Sequence, residues 1–376
     1  MYDSLQSDLR ALEDQGRRRK LQPRAGIDFT SNDYLGLAES NELRQAAAEA
    51  IARGVPVGAG GSRLLRGNHD EHEALEAEAA AYFGAESALY FGAGFTANHA
   101  IFSTLPQRGD VVLYDELIHA SVHEGLRQSR AASEGVAHSD VDAFEDKLRQ
   151  WRASGGRGRA WIAVESVYSM DGDSPRLDDL YAVAQRHDAV LVIDEAHATG
   201  VLGPDGRGLA AHLDGQPNVI TLHTCGKALG TVGGFVVGPK IVRDFMVNRA
   251  RPFIFATAPS PLIAAVTRAA LQLSRTKPQR RERLAQLVAF AARELQQRCG
   301  MASSGSHIVP IIIGGNQQAV AIAAALQKRG FDVRAIRPPT VPVGTARLRI
   351  ALSANLSEDV IAALFDAVAT EMRVAA

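Results

Sequence analysis

Residues 191–200 read LVIDEAHATG, and with Ala189 and Val190 they make an unbroken apolar run that stops on Asp194. Five apolar residues without polar alternation are too few for a helix and match a strand covered on both faces. In open α/β sheets ligands bind outside the carboxyl ends of the strands, so Asp194 and His197 mark where a site is expected. A carboxylate there is mostly buried and needs a cationic partner or a metal to offset its desolvation. A second reading makes Asp194 only the cap of a following helix. The string D-E-A-H also invites a nucleotide-helicase reading, but that requires a P-loop G-x-x-x-x-G-K-[ST], which this chain lacks.

Similar runs flank this one: Ala88–Phe91, Val111–Tyr114, Trp161–Glu165, Val219–Leu222 and Gly234–Val237. Helical patterns separate them, as in Asp140–Trp151, where Asp140 can cap and Phe144 and Leu148 share a face. This rhythm predicts an α/β fold with a central, mostly parallel sheet and helices on both faces. After about Arg275 the texture changes to a long helix, Arg280–Gln297, with Gly300 as its C-cap. A strand at Ile308–Ile313, a helix near Gln317–Lys328 and short strands around Phe331–Arg334 and Ala346–Leu352 follow. The expected division is an N-terminal helical arm at 1–40, a large α/β domain at 41–275 and a small C-terminal α+β domain at 276–376.

The 376 residues include 41 basic and 42 acidic side chains, a net charge of −1 that provides no field for a nucleic acid. The one charge run, Arg17–Lys20, reads most simply as a solvated helix end. Two cysteines, Cys225 and Cys299, make no disulfide framework. No signal peptide opens the chain and no apolar stretch reaches the ~20 residues of a membrane span, so a cytoplasmic location without membrane contact is expected.

Four further strand ends carry chemical groups. GAGFTA (Gly92–Ala97) opens a helix whose backbone N–H groups can approach an anion. It also matches G-x-G-x-x-A, and Asp115 lies about twenty residues on, which sustains an NAD-linked dehydrogenase as the rival reading. In DELIHAS, His119 and His123 are four apart and could share a metal, although no third ligand is spaced nearby; alternatively the imidazole of His119 covers a planar ligand. SVYSMDGD (Ser166–Asp173) is a turn rich in hydroxyl donors. TLHTCGKALGTVGG places Lys227 in a glycine-bounded loop between two strands, where desolvation would lower its pKa and free the amine for a Schiff base. With Asp194, 33 residues upstream, this set meets the needs of pyridoxal phosphate: a lysine for the aldehyde, a carboxylate for the ring nitrogen, donors for phenolate and phosphate, and a group against the ring face. No metal is expected.

From Ser31 onward the chain resembles an α-oxoamine synthase, a fold-type I pyridoxal phosphate family. The motifs are SNDYLGL from Ser31, GAGGSR from Gly58, FGAGFTAN, LIHAS, ESVYSMDGD, IDEAHATG, LHTCGKALG and RPPTVPVGTARLR from Arg337. The resemblance implies that Lys227 holds the cofactor, Asp194 pairs with its ring nitrogen and His119 stacks on the ring. It implies further cofactor contacts from Gly94, Phe95, Ser169, His197 and Thr224, and one from Thr257 of a neighbouring subunit in a homodimer with sites at its interface. Arg349 would bind the amino acid carboxylate, and Arg17, Asn32 and Thr340 would contact substrate. Between Arg17 and Asn32 the chain is shorter than the family pattern. Members condense an amino acid with an acyl thioester and release carbon dioxide. RPPTVPVGTARLR is most similar to the branch that joins L-alanine to a pimeloyl thioester, carried by CoA or an acyl carrier protein, in biotin synthesis. Ser62 of GAGGSR departs from the threonine usual in 5-aminolevulinate synthases, and the glycine C-acetyltransferase type differs in the arginine-rich motif.

Overall fold

The computed structural model describes residues 2–375. In chain order the strands are β1 (Ile27–Asp28), β2 (Ser87–Phe91), β3 (Val111–Asp115), β4 (Ala132–Val136), β5 (Ala160–Glu165), β6 (Ala189–Asp194), β7 (Val219–Thr224), β8 (Gly234–Gly238), β9 (Ile308–Gly314), β10 (Phe331–Asp332), β11 (Arg334–Ile336) and β12 (Ala346–Ala351). Two compact units form. The larger takes Leu35–Tyr168 and Ser174–Arg281; the smaller takes the residues through Tyr34, Ser169–Asp173 and those from Glu282 on. This differs from a division at 40 and 275. Residues before Tyr34 group with the C-terminal part because β1 pairs in parallel with β10, Ile27 opposite Phe331.

The larger unit is built on a seven-stranded sheet of order β2-β8-β7-β6-β5-β3-β4. β8 runs antiparallel to both β2 and β7, and the remaining pairs are parallel. Successive residues feed two separate cores. Val112, Trp161, Ala163 and Val192 pack on one face with Ala97, Ile101 and Phe102 of the helix Gly94–Thr104. Leu113, Ile162, Val164, Leu191 and Ile193 pack on the other with Phe144, Leu148, Leu180 and Val183. Two covered faces explain why these strands are apolar throughout. The helix Val141–Ala153 starts where Asp140 accepts a hydrogen bond from the Ala143 N–H at 3.0 Å. β4, ASEGV, is absent from the sequence expectation. It lies at the sheet edge and is largely exposed, so it carries no apolar signal.

In the smaller unit β11, β12 and β9 form an antiparallel sheet, with the helices Asn316–Lys328 and Glu358–Ala375. The long helix Gln279–Cys299 ends at Gly300, whose φ of 67° and N–H bond to the Gln296 carbonyl make the C-cap read from sequence. Among the described residues no helix is long and apolar enough to cross a membrane.

Candidate active site

The carboxyl ends of β6 and β7 and the N-terminus of the helix Gly94–Thr104 enclose a cavity of about 190 Å3. Gly94, Phe95, His119, Asp194, His197, Thr224 and Lys227, all expected from sequence, line it. Asn98, Ser121 and Glu165 line it too, beyond the residues the sequence predicts.

Asp194 is buried and fixed from two sides: Oδ1 accepts the Ala196 N–H at 2.9 Å and Oδ2 accepts Asn98 Nδ2 at 2.6 Å. No helix follows within this turn, so the capping reading gives way to a carboxylate held by a turn and by a neighbouring helix. Asn98 donates its second amide hydrogen to Ser121 Oγ at 3.1 Å, and Ser121 lies 2.7 Å from His119 Nδ1. The Ser121 N–H also points to Nδ1, at 3.3 Å. Nδ1 is therefore an acceptor, and the hydrogen bonds assign the neutral imidazole its proton on Nε2. Burial lowers the His119 pKa, Asp194 opposes this, and Lys227 and His123 add to it. A polar chain thus runs His119–Ser121–Asn98–Asp194. Asn98 Oδ1 is buried and has no hydrogen-bond partner, an acceptor still available on this wall.

Lys227 is half-buried in the β7–β8 connection. Its carbonyl accepts the Gly230 N–H at 2.8 Å, and Cys225 bonds to Gly233 and Thr231 across the loop. Gly230 has φ 66°, and a Cβ there would lie 2.4 Å from the Ala38 nitrogen, so the turn admits only glycine. Thr224 Oγ1 donates to the Gly233 carbonyl at 3.3 Å and accepts from Gly226 N–H at 3.4 Å. A Cβ on Gly94 would come within 3.2 Å of that hydroxyl. Phe95, 48% exposed, meets His119 edge-on with ring centroids 6.3 Å apart.

The dinucleotide rival is corrected at Asp115. This carboxylate is fully buried, faces His138 Nδ1 at 2.8 Å and accepts N–H bonds from Leu117 (2.9 Å) and Ser139 (2.7 Å). Burial raises its pKa, but those bonds outweigh it and hold the group below the usual carboxylate range. Fully buried, it presents no oxygen to a ribose. His119 and His123 likewise diverge: His119 caps its own helix and lines the cavity, whereas His123 packs edge-on against Tyr114 at 5.1 Å. Among the described residues no group of three His, Cys, Asp or Glu could hold a metal.

Thr257 is exposed in the loop before the helix Pro261–Thr276 and does not line this cavity. The other expected contacts belong to the smaller unit. There Arg349, buried on β12, donates from Nε to the Ser169 carbonyl at 2.6 Å and from Nη2 to the Tyr34 hydroxyl at 3.2 Å. Tyr34 donates to Asn32 Oδ1 at 2.9 Å, so Asn32, Ser169 and Arg349 form one cluster. Tyr34 stands inside SNDYLGL, where the motif predicts a role for Asn32 but none for the tyrosine. Arg349 makes no ion pair with a carboxylate among the described residues. Arg17 donates to the Pro338 carbonyl at 3.2 Å, and Thr340 accepts from Arg19 at 3.3 Å.

The chain is similar to known proteins over nearly its whole length. The family described as Aminotransferase class I and II matches residues 24–368. The 8-amino-7-oxononanoate synthase of Anaeromyxobacter dehalogenans is 42% identical over 373 residues, covering 94% of this chain and 91% of its own. Serine palmitoyltransferase from S. paucimobilis, solved with a bound PLP-myriocin aldimine, superposes with a TM-score of 0.90 at 27% identity, over 100% of this chain and 98% of that one. The 8-amino-7-oxononanoate synthase from Francisella tularensis gives 0.78 at 28% identity, over 93% and 98%.

Proposed function

The chain belongs to the α-oxoamine synthase family of fold-type I pyridoxal phosphate-dependent acyltransferases, and from that premise we propose that it condenses L-alanine with a pimeloyl thioester. The products are 8-amino-7-oxononanoate, carbon dioxide and the free thiol, with CoA or an acyl carrier protein as the acyl carrier. The relatives named 8-amino-7-oxononanoate synthase and the RPPTVPVGTARLR motif support this substrate pair.

One observation carries the reading of the site: Lys227 and the doubly held Asp194 line one small cavity with the neutral His119. These residues fit pyridoxal phosphate, since the cavity offers an amine, a fixed carboxylate, an imidazole and a helix N-terminus with an adjacent threonine. When bound, that cofactor supplies an electron sink for negative charge at the amino acid Cα. Lys227 would hold it, and its Nζ, once free, would take the Cα proton. Asp194 would accept from the cofactor's protonated nitrogen, as its two fixed oxygens allow. His119, with Nε2–H as its donor, would cover the cofactor and stabilise charge developing on the thioester oxygen. Gly94, Phe95, Ser169, His197 and Thr224 complete the cofactor contacts.

Arg349 binds the alanine carboxylate, because a buried guanidinium without a carboxylate partner favours a bidentate anion. Arg17, Asn32 and Thr340 are the remaining substrate contacts. A homodimer in which Thr257 serves the partner's site is supported by the exposed apolar side chains Leu65 and Phe255, 82% and 70% exposed.

Product analysis tests the reading, with L-alanine or glycine offered against pimeloyl, succinyl and acetyl thioesters. Alanine with the pimeloyl thioester should give the fastest turnover; preference for glycine with succinyl thioester would overturn the substrate assignment and leave the family intact. Lys227→Ala should abolish turnover and the visible absorbance that borohydride bleaches in the parent enzyme.

A further inference from the structure

The charge run Arg17–Lys20 plays only a partial role in the chemistry above. In the smaller unit Arg18, Arg19 and Lys20 join Arg334 and Arg337 along a groove of about 480 Å3, in which Glu13 is the only carboxylate of the lining. Two of these five cations are already neutralised: Arg18 pairs with Glu13 at 2.5 Å, and Arg334 forms a two-pronged pair with Asp332 at 2.6 and 3.0 Å. Arg19, Lys20 and Arg337 make no ion pair among the described residues. Arg19 contacts only the Thr340 hydroxyl, at 3.3 Å, and Arg337 the Gly16 carbonyl, at 2.5 Å. In a chain of net charge −1 this is a local excess that the fold itself does not offset. Burial and the nearby Arg19 both lower the pKa of Arg337, as expected where cations crowd without a counter-ion. The floor is small and apolar, made by Ala323, Ala324 and Ala335 beside the partly exposed Val320.

We propose that this groove binds a small phosphorylated anion of nucleoside diphosphate size. Two guanidinium forks and an ammonium match the oxygens of adjacent phosphates. The volume falls in the range of small-molecule sites, about 300–1,000 Å3, and the alanine floor offers a face for a flat ring. An acidic protein surface would instead need a broad contact, about 800 Å2 on each partner, rather than a concave slot. The same chemistry is carried by a free nucleotide and by the nucleotide end of an acyl-CoA; only the second source rests on the function proposed above.

The test is calorimetric titration of the purified holoenzyme with ADP, CoA, inorganic pyrophosphate and adenosine, repeated on the double variant Arg19→Gln, Lys20→Gln. Both residues are exposed, so the variant keeps its fold. ADP and pyrophosphate should bind, adenosine should not, and the variant should lose about tenfold in affinity, as should the parent in high salt. An increased KM for acyl-CoA in the variant identifies the donor as the source; an unchanged KM with ADP binding still weakened identifies a free nucleotide. Absence of phosphate-ligand binding, or equal binding by the variant, overturns the proposal. So does binding of an acidic carrier protein that the variant loses while ADP fails to bind. Because binding is read directly, failure of the proposed condensation would not mimic any of these results.

Discussion

Asp194 is held in one orientation by both its oxygens, and that orientation costs another residue its own satisfaction. Asn98 spends both amide hydrogens on Asp194 and Ser121 and leaves Oδ1 unpaired. Replacing Asn98 with Leu should leave one Asp194 oxygen without its donor and cut pyridoxal phosphate affinity by about tenfold, measured by equilibrium dialysis, with a weaker visible band. In the smaller unit Tyr34→Phe removes one of two contacts that orient Arg349, and the KM for the amino acid should rise several-fold with a lesser change in kcat. Behind Asp194, burial raises Glu195 to about 7, and burial followed by the nearby Glu195 raises Asp214 to about 8. A carboxyl whose folded pKa lies above its unfolded value contributes stability below the unfolded pKa and loses it as pH rises through the folded one. Stability should therefore fall from near pH 4 to pH 8, and Asp214→Asn should flatten that fall. Discounted for partial exposure, the difference is about 1 kcal/mol, or about 2 °C in Tm between pH 6 and pH 9 by differential scanning calorimetry.

Among the elements, the helix Gly94–Thr104 and β8 approach so closely that a Cβ on Gly234 would lie 2.9 Å from the Gly94 Cα. Backbone cannot yield as a side-chain tip can. Gly234→Ala should thus lower Tm and cofactor affinity more than Gly94→Ala, whose new methyl meets only the Thr224 side chain, at 3.2 Å from its hydroxyl and 3.4 Å from its Cβ, as thermal melts and dialysis would record. Far from the cavity, Asp140→Ala should cost about 1 kcal/mol of stability through the lost cap and leave kinetics unchanged.

The elements visible in the sequence were those whose burial writes itself into composition. Val192 and Leu191 feed opposite cores, so β6 is apolar throughout and plain to read, whereas exposed β4 is not. The cavity followed the same logic. Lys227, Asp194 and His119 stand at strand ends, where position alone marks them. Asn98 sits inside a helix, four residues after Gly94, and its part depends on what the fold brings opposite it. Tyr34 was hidden for the same reason: its partners Arg349 and Asn32 are distant or adjacent in sequence, and only the fold joins them. The grouping of the first 34 residues with the C-terminal ones rests on two-residue β1 and β10, too short to leave a periodic signal.

At the scale of the whole molecule, apolar side chains that would cost little in a core stay outside. Leu65 and Phe255 are the test: changing both to Asp should turn a dimeric species into a monomer in sedimentation velocity and depress turnover, if Thr257 serves a second copy's site. The sheet order has its own consequence. The parallel strands β3, β4, β5 and β6 are each followed by a connection that leaves the sheet, but β7 returns at once as antiparallel β8, Thr224 facing Gly234 on one rung. The nine residues between them, Lys227 included, are a bridge moored at both ends to the central sheet. The Lys227 amine therefore inherits its placement from strand pairing rather than from a wandering leash. A single residue added to or cut from that bridge would shift the amine or break the rung, while the other strand-end connections can lengthen, shorten and diversify around an unmoved nitrogen.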